Sequence, residues 1–289
     1  MSQDHGTPER RAVDPTREQL AGLIAARMAQ ELDRLSADFR KPNGINACVL
    51  DDLLPEEIAL RIFEAFPAQG RMRFNNTLRE RKHVAAQMDR YDPILEEAIY
   101  AFQDARVVET VARITGLRAL EPDEHLYAGG ISVMSRGHFL NPHLDNSHDK
   151  DRERYRVLNL LYYVTPDWKP ENGGNLELWD DGPKGRPREI VSRFNRLVLM
   201  ITNRNSWHSV NRVKSDGRRC CVSNYYFSRY PADDRSYFHV TTFRGRPEQP
   251  LRDAVLRIDG RVRMAMRKHF PALLGETSHL YKKTPRDRR

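Results

Sequence analysis

The sequence predicts an α+β chain with a β-rich core held between helical segments, and three observations carry that prediction. Apolar residues recur at helical spacing in the first part of the chain, at Leu20, Leu23, Ile24, Met28, Leu32 and Leu35 and again after Pro55. From Gly129-Gly130 to about Ser228 the pattern changes to short alternating strands. Beyond it, Leu251, Val255, Ile258, Val262 and Met266 form a helical stripe with arginines opposite, ended near Pro271.

The elements follow in order. Residues 1–15 are polar, without the apolar stretch of a secretory leader, and read as disordered. Residues 16–128 form a support region: a helix over Thr16–Phe39, a short strand at Ala47-Cys48-Val49-Leu50 ended by Asp51-Asp52, a helix after Pro55 carrying Ile58, Ile62, Phe63 and Phe66, and a helix over Pro93–Thr115. Residues 68–92, with Arg71, Arg73, Arg79, Arg81, Lys82 and His83, show little periodicity and read either as a mobile charged loop or as part of a substrate rim. Residues 129–230 are the core, and 231–289 a helical extension with a basic tail. No internal repeat and no Gly-, Ser- or Pro-rich linker marks a second independent domain.

Within the core, His143-Leu144-Asp145 is followed by Trp207-His208 and Arg218-Arg219. Two imidazoles and a carboxylate are the set that holds non-haem Fe(II) while leaving coordination positions open. On a strand, residues two apart point to the same face, so one short segment supplies His143 and Asp145 without bending, and His208 must arrive on another strand. An arginine shortly after it suggests a bound carboxylate, which a permanently charged guanidinium grips in bidentate fashion.

On further residues the segment Ile131–Arg229 resembles the double-stranded β-helix (jelly-roll, cupin-like) core of the 2-oxoglutarate and Fe(II)-dependent oxygenases, in their prolyl-4-hydroxylase-like branch. The matching pieces are Asn141-Pro142-His143-Leu144-Asp145-Asn146, Leu160 through Trp168, Asn172-Gly173-Gly174-Asn175-Leu176-Glu177-Leu178-Trp179, Asn195 through Met200, Trp207-His208-Ser209-Val210 and Arg219 through Phe227. The resemblance implies His143, Asp145 and His208 as catalytic metal ligands and Arg219 as the residue for the far carboxylate of 2-oxoglutarate. It adds Tyr163 as a hydroxyl donor to that carboxylate and Ser223 four residues along the inward face. Strand alternation sends Arg218 to the opposite face.

Implied with these are Fe(II), 2-oxoglutarate as cosubstrate and O2, with ascorbate admitted as a stimulant, and release of succinate and CO2 as an unactivated carbon is hydroxylated or desaturated. Halogenating relatives lack the carboxylate that Asp145 supplies, which favours hydroxylation. Val133 stands where related prolyl hydroxylases often carry tyrosine. The first expectation for the substrate is a small, polar or amino-acid-derived biosynthetic molecule; the alternatives are a prolyl or other residue of a peptide or protein, and a jelly-roll binding module without activity. Nucleic acid is disfavoured, because the demethylating branch carries a second arginine where this chain has Tyr225.

Composition bounds these readings. The chain has 289 residues, 39% hydrophobic and 30% charged, enough for one large core. It has no apolar run of bilayer length, so the expectation is a soluble, cytoplasmic protein. Cys48, Cys220 and Cys221 give neither a disulfide framework nor a zinc spacing and read as core packing. The net charge of +8 is concentrated in part in the last eight residues, where five basic residues face one acid, so a solvated tail is the better reading than a nucleic-acid surface. Of ten histidines, His5, His83, His125, His138, His148, His239, His269 and His279 read as surface or hydrogen-bonded residues. Trp179 and Trp207 read as core or wall.

Overall fold

The computed structural model of the chain describes residues 13–233, 235–269, 280–281 and 283. The predicted leader falls almost wholly, and the basic tail largely, outside these residues.

The first predicted helix is two. Helix α1 (Arg17–Gln30) starts at a capping box, in which the Thr16 hydroxyl accepts from the Gln19 amide and the Gln19 side chain returns to the Thr16 amide. Glu31 ends it with non-helical backbone, and α2 (Leu32–Phe39) follows. Strand β1 (Ala47–Leu50) and helix α3 (Glu56–Glu64) lie where the sequence predicts them. Residues 68–92 are not a loop: β2 (Arg73–Asn76) and β3 (Glu80–Ala85) pair as an antiparallel hairpin between two short 3-10 turns. The predicted helix over 93–115 is also two, α4 (Pro93–Ala101) and α5 (Ala105–Thr115). Asp92 and Asp104 each accept a hydrogen bond from the amide two residues on, and the Asp104 cap makes a new helix start cheaper than continuation.

The core strands are β4 (Glu121–Pro122), β5 (Gly130–Met134), β6 (Phe139–Leu144), β7 (Tyr155–Tyr163), β8 (Leu176–Leu178), β9 (Arg188–Ile190), β10 (Arg196–Ile201), β11 (His208–Val210), β12 (Arg219–Ser228) and β13 (Thr242–Phe243). Every pairing is antiparallel. The order β1-β10-β7-β12-β5 forms one side and β6-β11-β8-β9 the other, with β3 joining β5 to β6. From β5 to β12 the chain passes back and forth between the two sides, which is the double-stranded β-helix, and helices frame it as an α+β fold. Helices α2 and α4 pack against β1 and β12, so the N-terminal region buttresses the first side. Their apolar faces join β7, β10 and β12 in one buried cluster.

Cys48, Cys220 and Cys221 are free and buried, and burial pushes the Cys48 and Cys220 thiols up to about 12, so they are packing residues without thiolate character. Helix α6 (Pro250–His269) closes the described part. Its packed face is Leu256 and Gly260, with Asp253 paired to Arg244 and Asp259 to Arg79, while Leu251, Val255, Ile258, Val262 and Met266 of the predicted stripe are exposed. No described helix is long and apolar enough to cross a membrane.

Gly130 fixes the seam between the hairpin and the core. It has φ +133°, and a Cβ there would lie 2.3 Å from the Ala85 carbonyl oxygen. Gly130→Ala should therefore destabilise the protein by at least about 1–3 kcal/mol, the usual cost of such backbone strain, measured by urea unfolding. An unchanged midpoint would show that β3 does not approach β5 this closely.

Candidate metal and cosubstrate site

Strands β6 and β11 build the centre of the site by register. His208 lies directly across from His143, and the two imidazole centroids are 4.1 Å apart. Asp145 follows one residue beyond the end of β6. His143 Nε2 is 3.6 Å from Asp145 Oδ1, and His208 Nε2 is 3.5 Å from Asp145 Oδ2. One ligand atom of each residue lies within 4.8 Å of the others. Both histidines are buried, and Phe243 of β13 stacks on His143 at 5.1 Å.

The donor chemistry fits a divalent metal. His143 Nδ1 sits 3.0 Å from the Asn141 carbonyl oxygen and His208 Nδ1 2.9 Å from that of Ser206. A carbonyl can only accept, so Nδ1 donates in each ring and Nε2 keeps the lone pair that faces Asp145. Burial lowers both imidazoles from their ordinary range, His143 to about 3, and keeps them neutral. Burial, the largest single influence, would push the Asp145 carboxyl up, but the groups around it together, the Arg156 guanidinium first among them and the Asn159 amide included, hold it well below the usual carboxylate range. Two neutral imidazoles and one carboxylate are the protonation states that metal binding requires.

Arg156 and Asn159 are partners of Asp145 that sequence reasoning missed. Arg156 Nη2 lies 3.1 Å from Asp145 Oδ2, and Asn159 Nδ2 donates to the same oxygen at 2.9 Å. Three residues apart on an ideal strand, they would point to opposite faces. A bulge at Val157 puts Arg156 opposite Phe227 and Asn159 opposite Tyr225, which restores them to one face. The arginine also stacks on the Tyr225 ring, 3.6 Å from its centroid. No motif signals a bulge, and a lone Arg-x-x-Asn in a strand carries no pattern. Arg156→Met should lower Fe(II) affinity about 10- to 100-fold while leaving all three ligands in place; unchanged affinity in a metal titration would mean that Asp145 is held by other groups.

The second part of the site lies where β12 and β7 pair. Arg219 is 4% exposed; its Nε donates to Ser192 Oγ at 3.1 Å, its Nη1 approaches Met134 Sδ at 3.6 Å, and its guanidinium stands 4.6 Å from the Tyr163 ring centroid. No carboxylate pairs with it among the described residues. The Tyr163 hydroxyl is likewise buried without a hydrogen-bond partner, and burial pushes its ionisation up, so it stays a neutral donor. A buried cation without a counter-ion and an orphaned hydroxyl are what the far carboxylate of 2-oxoglutarate would satisfy. Gly174, at φ +68°, makes room: a Cβ there would stand 3.3 Å from Arg219 Cδ.

The remaining predicted positions sort as follows. Arg218 turns away and donates to the Phe66 carbonyl at 3.1 Å, over the Phe63 ring. Ser223 shares the inward face of β12 with Arg219, but lies opposite Gly130 and lines an outer cavity; the hydroxyl at Arg219 belongs to Ser192, for which the sequence carried no signal. Val133 is buried in the sheet. His148 hydrogen-bonds Ser147 and takes no part in the triad, while Trp179 is a wall residue bonded to Ser209. His83 and His138 stack around Phe74. His5 and His279 lie outside the described residues.

Residues 129–227, which carry the triad, Tyr163 and Arg219, match the family described as the 2OG-Fe(II) oxygenase superfamily. Over 84 residues it is 36% identical to prolyl 3-hydroxylase OGFOD1 of Xenopus laevis, covering 27% of this chain and 16% of that protein. The same enzyme of Mus musculus is 30% identical over 96 residues, covering 32% and 17%. The matched segment is thus about a sixth of the length of these relatives. Among solved structures, a Pseudomonas putida prolyl-4-hydroxylase superimposes with TM-score 0.50 and 15% identity over 71% of this chain and 98% of that one, which shows the shared fold.

Proposed function

We propose that the chain is an Fe(II)- and 2-oxoglutarate-dependent oxygenase that hydroxylates a prolyl residue of a peptide or protein. One observation carries the reaction class: a neutral His143–His208 pair and the ionised Asp145 converge in the same core that buries Arg219 without a counter-ion. The prolyl substrate rests on the likeness to prolyl 3-hydroxylases over that core. This replaces the small biosynthetic molecule as the leading expectation. A small molecule is kept as the second reading because the adjoining cavity, about 660 Å³, lies in the size range of small-molecule sites.

When bound, Fe(II) with 2-oxoglutarate and O2 supplies the oxidant that hydroxylates a carbon while the cosubstrate leaves as succinate and CO2. The residues of this chain do the positioning. Arg219 and Tyr163 fix the far carboxylate of the cosubstrate by charge and by a hydroxyl donor. Asp145 offsets part of the metal's charge and occupies the position a halide would need. Arg156 and Asn159 hold that carboxylate in one orientation, and burial keeps water from the reacting groups. We place the reaction in the cytoplasm as part of this proposal.

The test is incubation with Fe(II), 2-oxoglutarate and a panel of prolyl peptides under labelled oxygen. A prolyl residue that gains one labelled oxygen supports the reading. Succinate formation stimulated by small amino-acid derivatives and by no peptide transfers the assignment to the second reading.

A further inference from the structure

The β2–β3 hairpin forms one wall of a cavity of about 660 Å³ whose other wall is the start of β5 with Ser223 and Tyr225. Strand alternation divides the hairpin. Arg73 and Asn75 pair across from Val84 and Lys82, and all four line the cavity, while Phe74 and His83 stack on the outer face. Arg71 and Arg90, from the turns flanking the hairpin, line it too. Among the described residues the cavity wall therefore carries four cations and no carboxylate.

Three of these cations are left without an anion. Arg71 donates to the Arg90 carbonyl at 3.1 Å and Arg73 to the Asn75 side chain at 3.0 Å, but neither they nor Arg90 has an ion-pair partner among the described residues. Some arginines elsewhere in the chain are paired, and others, such as Arg81 and Arg118, have no ion-pair partner among the described residues either. Arg79, on the same hairpin, pairs with Asp259; Arg61 is matched by Asp14 and Asp92, and Arg196 by Asp51. The fourth cation, Lys82, is held by Glu80 at 3.0 Å. Its charge acts on Asp145 and on Tyr225, and Tyr225 lies under Arg156, which pairs with Asp145, so the floor of the cavity adjoins the triad. A concave wall of one sign focuses its field on what enters.

From this wall we infer that the substrate presents an anionic group, a carboxylate or a phosphate, to Arg71, Arg73 and Arg90 while the carbon to be oxidised passes Lys82 toward the triad. The inference rests on the oxygenase reading and narrows its substrate: acidic or phosphorylated residues flank the target, and basic flanks are repelled.

The protein loaded with Fe(II) and 2-oxoglutarate under nitrogen is titrated with fluorescently labelled peptides of one length: glutamate-flanked, lysine-flanked and phosphoserine-flanked proline, and a glutamate-flanked alanine control. The glutamate- or phosphoserine-flanked peptides should bind at least about tenfold tighter than the lysine-flanked one at low salt, the gap narrowing as salt rises. Which of the two leads identifies the anion. The preference should vanish in Arg71→Gln/Arg73→Gln/Arg90→Gln and weaken in Arg73→Gln alone, which guards against misfolding of the triple variant. Equal affinity, no measurable binding, or a preference that survives the triple variant overturns the inference. Admission of oxygen then separates the two readings. Tight acidic peptides that gain no oxygen at proline leave the anion site standing and remove the prolyl substrate, whereas preferential hydroxylation of the lysine-flanked peptide does the reverse.

Discussion

His143→Ala and His208→Ala should each lose Fe(II) affinity by more than about 100-fold, beyond the 10- to 100-fold that outer partners of a metal typically cost. Each substitution removes one of three protein donors and leaves Asp145 with a single imidazole. The fold should survive, because the imidazoles are held by their own strands through Asn141 and Ser206 carbonyls and β6 pairs with β11 through backbone bonds. Iron content by metal analysis, beside a thermal melt of the metal-free protein, reads both effects. Full occupancy in either variant, with an unchanged melt, would remove the triad from the metal.

Arg219→Ala should raise the 2-oxoglutarate concentration needed for half-saturation by at least about 30-fold, since truncating one member of a buried charge pair costs roughly 2–5 kcal/mol. Arg218→Ala should leave that concentration nearly unchanged and act on stability, because its guanidinium holds the Phe63 and Phe66 carbonyls on the other side of the strand. The comparison is sensitive to register. A shift of one residue along β12 would exchange the two effects, and equal effects would mean that neither residue meets the cosubstrate.

What the sequence made legible follows from how local the cause was. Three ligands could be read because His143 and Asp145 share a face by strand period alone, and because donor types of this kind have few other uses together. Strand β1 and helix α3 were marked by composition and by Pro55. Helix breaks were harder: Glu31 and Asp104 each interrupt an apolar period that continues on both sides, and only the cap geometry separates the pieces. The hairpin of residues 73–85 was hidden because charged residues occupy both of its faces, so alternation of polarity vanishes where alternation of direction persists. Arg156 and Ser192 were invisible for a different reason. One depends on a bulge and the other on a long-range approach, and neither leaves a period in the chain. The exposed Leu251–Met266 stripe shows the converse, a clear period whose packing the sequence does not decide.

The central claim is that His143, Asp145 and His208 hold one Fe(II) and that Arg219 binds one 2-oxoglutarate beside it. An α-keto acid chelating Fe(II) gives a visible charge-transfer absorption, so the most direct measurement is anaerobic addition of 2-oxoglutarate to the Fe(II)-loaded protein. The absorption should appear and saturate at one equivalent in the unmodified protein and in Arg218→Ala, require far more 2-oxoglutarate in Arg219→Ala, and be absent in His143→Ala. No absorption in the unmodified protein with iron bound, or the same absorption in His143→Ala, would contradict the account.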